Sequence, residues 1–139
     1  MPKIGVRLPA SFESAGEFLA DIQSLESASA DLLLLGDGDL DRDLLLAAIA
    51  AVTGRVQLHH AEPGETLRRL ARGRLVDELE GWIEVEFPAD RAAWRATLAE
   101  AEENRAPGVI LAMDPRLLDL LRNPDVEDDR ATDLQLAQG

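Results

Sequence analysis

Short unbroken apolar runs alternate along this chain with longer stretches whose apolar residues recur every three or four positions, the respective patterns of buried strands and amphipathic helices. The clearest run is Leu32 to Leu35, four leucines that stop at Gly36 and lead through Asp37, Gly38 and Asp39 into a helix-starting acidic segment. An apolar run that ends at glycine reads as a buried strand of a parallel sheet, and the exit of such a strand is where α/β proteins place their ligands.

The same alternation organises the rest of the chain. Lys3 to Leu8 reads as a first strand, closed by Pro9, which cannot donate to a ladder. Ser11 is the expected N-cap of a helix along which Phe12, Ala15, Leu19, Ile22 and Leu25 form one stripe. After Leu32–Leu35 comes a helix from about Leu40 to Val52, apolar over most of its circumference, which predicts packing between the sheet and a neighbouring helix or subunit. Val56 to His60 is the third strand. A helix from about Glu65 to Glu80 places Leu67, Leu70, Ala71, Leu75 and Leu79 inward and Arg68, Arg69, Arg72 and Arg74 outward, with Gly73 as the point where it can break. Trp82 to Phe87 alternates with Glu84 and Glu86, the signature of a strand with one wet face. Asp90 caps a helix through Arg105 in which Trp94, Leu98 and Ala101 share a face. Val109 to Met113 is the fifth strand, and a short helix opened by Asp114 and Pro115 ends at Asn123, before Pro124.

Five βα units in a row predict an α/β fold with a parallel sheet. A complete eight-stranded barrel takes about 250 residues, so two architectures remain: a truncated, TIM-barrel-like unit closed by a second copy, or an open doubly wound parallel sheet. Residues 1–124 form the expected single domain. Residues 125–139, with five acids and one arginine, read as an acidic C-terminal tail.

Charge narrows the partners. Fourteen basic against 27 acidic residues leave a net charge of −13, which repels both nucleic acid and anionic membrane. Cysteine is absent, so thiol catalysis, thiolate metal sites and disulfides are excluded. The first ten residues show neither a signal peptide nor a membrane span, and the expectation is a cytoplasmic protein.

Three segments, GVRLP, SADLLLLGDGD and LLLAAIAAVTGRVQLHH, resemble the N-terminal part of the luciferase-like monooxygenases, which depend on flavin or deazaflavin. Gly36 and Asp37 match the family's Gly-Asp-His strand end, and Ala50, Ala51, Val52, Thr53 and Arg55 match its Ala-Ala-Val-Thr-x-Arg helix. LARGRLVDELEGWIEVEF is similar to a later segment, with Asp77, Leu79 and Gly81 in place, and DRAAWRATLAEAEENRAPGVIL and DLLRNPDVEDDR look like downstream helix–strand and C-terminal segments of relatives. The resemblance implies a (β/α)8-derived fold that dimerises, FMN or a deazaflavin as cofactor, and oxidoreductase or monooxygenase chemistry. It departs from the family at Gly38, where the histidine of Gly-Asp-His would stand, at Glu80-Gly81-Trp82, which replaces a Ser-Gly-Gly-Arg turn, and in length by roughly three βα units. The alternative it leaves is a catalytically silent, homo-oligomeric or partner-binding module.

The strand exits bring Pro9, Asp37, Asp39, His59 or His60, Glu62, Asp90 and Asp114 to one edge, where carboxylates and an imidazole could hold a divalent cation or act as an acid–base set on a small molecule. Asp39, Asp90 and Asp114 each also stand where a helix cap is wanted. His59 and His60, adjacent on a strand, point to opposite sides, so one of them can face the site. The resemblance implies Asp37 and His59 or His60 as candidate catalytic residues near the flavin ring, with Gly36, Asp37 and Glu62 as cofactor-binding candidates. The alternating Asp37, Asp39, Asp41 and Asp43 do not make a calcium loop, because Arg42 and Ala48 occupy the positions that need glycine and glutamate. No Gly-x-Ser-x-Gly elbow is present.

Overall fold

The computed structural model describes residues 2–124; the acidic tail expected at 125–139 lies outside them. Six strands and five helices follow in the order β1 (Lys3–Leu8), α1 (Ala15–Ser27), β2 (Leu32–Leu35), α2 (Arg42–Val52), β3 (Gln57–His59), α3 (Glu65–Leu70), β4 (Leu75–Val76), β5 (Ile83–Glu84), α4 (Arg91–Glu103), β6 (Gly108–Ala112) and α5 (Leu117–Arg122). The strands form one sheet in the order β4-β3-β2-β1-β6-β5, and every pairing is parallel. The α/β class and the all-parallel sheet are thus as the sequence predicts. The sheet is open, with β4 and β5 at its two ends.

The long third helix expected from Glu65 to Glu80 is a short helix, a turn and a short strand instead. α3 stops at Leu70, Gly73 takes a left-handed φ of 78°, and Leu75–Val76 joins the sheet beside β3. The leucine spacing that looks helical is satisfied differently: Leu67 is buried under the helices, whereas Leu79 packs on the other face of the sheet. This adds a sixth strand and shortens the expected Trp82–Phe87 strand to Ile83–Glu84, with Val85 still donating its N–H to the Ile110 carbonyl at 2.9 Å.

Side-chain alternation divides the sheet cleanly. Ile4, Val6 and Leu8 of β1, Leu33 and Leu35 of β2, Leu58 of β3, and Val109 and Leu111 of β6 share one core with Ile22 and Leu25 of α1, Leu46 and Ile49 of α2, Leu67 of α3, Trp94 and Ala101 of α4, and Leu117 and Leu120 of α5. All five helices therefore contribute to one face. The residues between them, Leu32, Leu34 and Ile110, face the other way and meet Val76, Leu79 and Trp82.

That second face is crossed by the β4–β5 connection, residues 77–82. Five inter-strand gaps in a flat sheet would span about 24 Å. Seven Cα steps reach that distance only when fully extended, at about 3.4 Å each, and here they include a turn, with Trp82 N–H on the Leu79 carbonyl at 3.1 Å and Gly81 at φ 83°. The sheet must curl to let its edges meet this short connection, and the helix-free face is the concave one. Trp82 lies so close to the sheet that a Cβ on Gly108 would sit 2.4 Å from its ring and one on Gly5 3.3 Å away. The chain thus winds onto both faces, with helices on only one.

Three carboxylates fix the helix starts and one fixes a turn. Asp41, not Asp39, caps α2 by accepting the Leu44 N–H at 3.0 Å, and Ser14, not Ser11, caps α1. Asp90 caps α4 through the Ala93 N–H at 2.7 Å, as expected, and Asp114 accepts the Arg116 N–H at 2.8 Å ahead of α5. At the end of α1, Glu26 receives the N–H groups of Gly54, Arg55 and Val56 at 2.7 to 3.1 Å and ties the α2–β3 turn to the helix layer.

Candidate ligand-binding site

The C-terminal end of the concave face is where parallel sheets present their ligands, and three basic side chains gather there although the chain is strongly acidic. Arg7 follows Val6 in β1 and so points away from the helices. Its guanidinium meets Glu84 of β5, with Nε and Nη2 both 2.6 Å from Oε1. Arg42, at the first turn of α2, folds back over the exit of β2 and donates to the Leu35 carbonyl at 3.0 Å and the Gly36 carbonyl at 2.9 Å.

His59 completes the group. It is half-buried, and its pairing opposite Val76 puts it on the concave face. Burial, the neighbouring His60, and the charges of Arg42 and Arg7 hold its imidazole below the usual histidine range, opposed by a hydrogen bond to the Asp77 backbone. A ring kept neutral within electrostatic reach of two guanidinium groups can donate a hydrogen bond to a bound anion without adding a third fixed charge.

His60 takes no part in this group. Its Nδ1 accepts the Glu62 N–H at 3.0 Å, while Nε2 lies 2.5 Å from Asp43 Oδ1, and the side chain is only 15% exposed. Asp43 also accepts the Gly64 N–H at 2.8 Å. The ring therefore staples the β3–α3 loop to α2, on the helical side of the sheet. Glu62 shares that loop, is exposed, and contributes its backbone N–H to the staple.

Gly36 and Asp37 have different fates. Gly36 donates its N–H to the Leu8 carbonyl at 2.7 Å and lies beside the Arg7 stem, so it forms part of the floor of the site. Asp37 is exposed, and its carbonyl accepts the Ala10 N–H at 3.4 Å. Gly38 is fixed by close packing: a Cβ there would stand 2.2 Å from the Ala10 carbonyl oxygen and 2.5 Å from its carbon. The position where the resembled family carries histidine has no room for any side chain.

The structure thus brings Gly36 and His59 together with Arg7, Arg42 and Glu84, and separates them from His60 and Glu62. The strand-exit acids do not assemble into a metal centre: among the described residues no group of three or more His, Asp or Glu side chains is placed to hold an ion. Arg7 is legible in principle, as the charged residue interrupting the otherwise apolar GVRL run, whereas in sequence Glu84 marks only a wet strand face. No protein-family profile, curated protein or solved structure matches this chain. Among the described residues no helix is long and apolar enough to cross a membrane.

Proposed function

We propose that the chain is a small-molecule-binding α/β module, derived from a luciferase-like barrel, whose ligand is anionic and sits at the C-terminal end of the concave sheet face. The observation that carries this reading is the convergence of Arg7, Arg42 and His59 on the C-terminal ends of β1, β2 and β3, with both guanidinium charges in electrostatic reach of the His59 ring, at the position where parallel sheets bind ligands. Barrel ancestry is supported by the strand order and the one-sided helix layer. Strands β4-β3-β2-β1-β6-β5 with helices outside are what an eight-stranded ring leaves when the two strands between β4 and β5 are removed.

The fit to FMN or a deazaflavin is partial. Arg7 and Arg42 offer charge to a phosphate or carboxylate, yet both guanidinium groups are already engaged in the protein, and Gly38 leaves no room for the family's histidine. No redox step is therefore assigned to these residues. His59 and Arg7 orient an anion, Glu84 sets the position of Arg7, and Arg42 holds the exit of β2.

The test is a titration of the protein with FMN, riboflavin and inorganic phosphate, followed by calorimetry and by the visible spectrum of the flavins. Saturable binding of FMN or phosphate, weakened about tenfold or more in His59→Ala and Arg7→Ala, is the expected result. Equal binding of riboflavin and FMN with a shifted flavin spectrum would instead support the flavin oxidoreductase. Failure of all three ligands at millimolar concentration would remove the ligand-binding reading. The closed Gly38 position favours a second reading in that event, a catalytically silent module that works through protein contacts.

A further inference from the structure

On the helical side of the sheet, α1 and α5 leave a depression between them where the chain leaves β6, with a volume of about 360 Å3. Leu25 of α1 and Leu117 of α5 are core residues and form its floor, while Met113, Pro115 and Leu118 wall it. The walls are held by the backbone. Met113 donates its N–H to the Arg7 carbonyl at 3.0 Å, and the turn into α5 is closed by the Leu117 N–H on the Asp114 carbonyl at 2.9 Å. A hollow of this size and lining suits a small molecule.

Its polar lining has one sign. The polar side chains that border it are Asp21 and Asp114, and none is basic. Asp114 is already paired, with its two oxygens on the Arg116 guanidinium at 3.0 and 3.1 Å. Asp21 is exposed and, among the described residues, makes neither a hydrogen bond nor an ion pair. An apolar hollow with an unpaired carboxylate at its rim is complementary to a molecule with an apolar body and a cationic head, and it disfavours an apolar anion. The net charge of −13 adds attraction for a cation from further away. The surroundings favour a small molecule over a protein. The exposed large apolar side chains of the described residues are Phe12, Leu40, Leu44, Leu70 and Ile83, and none of them lines the depression. No large apolar side chain therefore extends it toward the roughly 800 Å2 that each partner gives to a stable protein interface.

We propose that this depression binds a small amphipathic cation, an alkyl- or arylammonium, with its apolar body on Leu25, Met113, Leu117 and Leu118 and its charge against Asp21. The site lies on the helical side of the sheet and takes the opposite charge, so it is independent of the anion site on the concave face.

The chain has two methionines, and the other is Met1, so the Met113 ε-methyl group is a single NMR reporter inside the depression. The full chain is titrated at pH 7 with hexylammonium, 1-hexanol, hexanoate and the peptide Leu-Lys-Leu. Hexylammonium should shift the Met113 methyl saturably in the millimolar range, with hexanol about two- to fivefold weaker and hexanoate weaker still. Asp21→Asn should bring hexylammonium down to the level of hexanol, and Asp21→Lys should make hexanoate the better of the two ions. Both substitutions fall at an exposed position and should leave the far-UV spectrum unchanged. A Met113 methyl unmoved by hexylammonium at about 10 mM, equal binding of hexanol and hexylammonium, or an unaltered affinity in Asp21→Asn would overturn the proposal. Saturation by the peptide with none by hexylammonium would overturn it in favour of a protein-docking groove.

Discussion

Replacing Glu26 by glutamine tests how a single surface carboxylate joins two layers of the fold. Its two oxygens receive three successive backbone N–H groups, from Gly54, Arg55 and Val56, at 2.7 to 3.1 Å. Burial alone would raise its pKa, but the three N–H donors and the Arg55 charge outweigh burial and hold the carboxyl below its ordinary value of 4.5. Hydrogen bonds to charged groups contribute about 1.5–3 kcal/mol each when well shielded. Gly54 and Arg55 are exposed and glutamine keeps one acceptor, so the expected loss for Glu26→Gln is about 1–2 kcal/mol in total. The contribution depends on pH with a definite sign. A carboxylate with a depressed native pKa stabilises the fold above the unfolded pKa and ceases to do so as pH falls through the native one. Urea denaturation of wild type and variant at pH 7 and near pH 3 therefore measures two differences, and the second should be much smaller. A difference that is zero at pH 7, or equal at the two pH values, would refute the ionic clamp.

Three further predictions address the site and the core. Gly38→Ala should destabilise the fold by about 2–3 kcal/mol, because the added methyl meets the Ala10 backbone, and a neutral effect in thermal melting would mean that the β1–α1 loop yields easily. Trp94→Ala should cost about 3–5 kcal/mol, since the ring is 1% exposed among α4, the sheet and α5, and a loss below about 1 kcal/mol by urea denaturation would contradict its place in the core. The C2 proton of the His59 imidazole should titrate below 6.5 in NMR, with any stability owed to the neutral ring lost as pH falls through that value, and should move back toward 6.5 in Arg42→Gln; a titration above 6.5 would dissolve the electrostatic account of the site.

Periodicity located most of the elements, since each strand that touches the helical core carries alternate or continuous aliphatic residues and each long helix has one apolar stripe. It failed at Leu67 to Leu79, because spacings of three, four and one residue look helical whether or not Gly73 interrupts them, and only the pairing of Leu75–Val76 with β3 reveals the sixth strand. The site was partly legible. That one of two adjacent strand histidines would face a cleft follows from strand geometry, but choosing His59 over His60 requires knowing that Asp43 and the Glu62 N–H occupy the other ring. Glu84 stayed hidden because its partner Arg7 is 77 residues away in sequence, on a strand brought next-but-one to β5 only by the pairing of β6 between them.

The claim that the concave face carries the ligand site is tested most directly by mapping amide and imidazole NMR shifts while the full chain is titrated with inorganic phosphate and with FMN. Shifts confined to Arg7, Gly36, Arg42, His59 and Glu84 are predicted. Saturable shifts centred on the helical face, with these five residues unmoved, would contradict it.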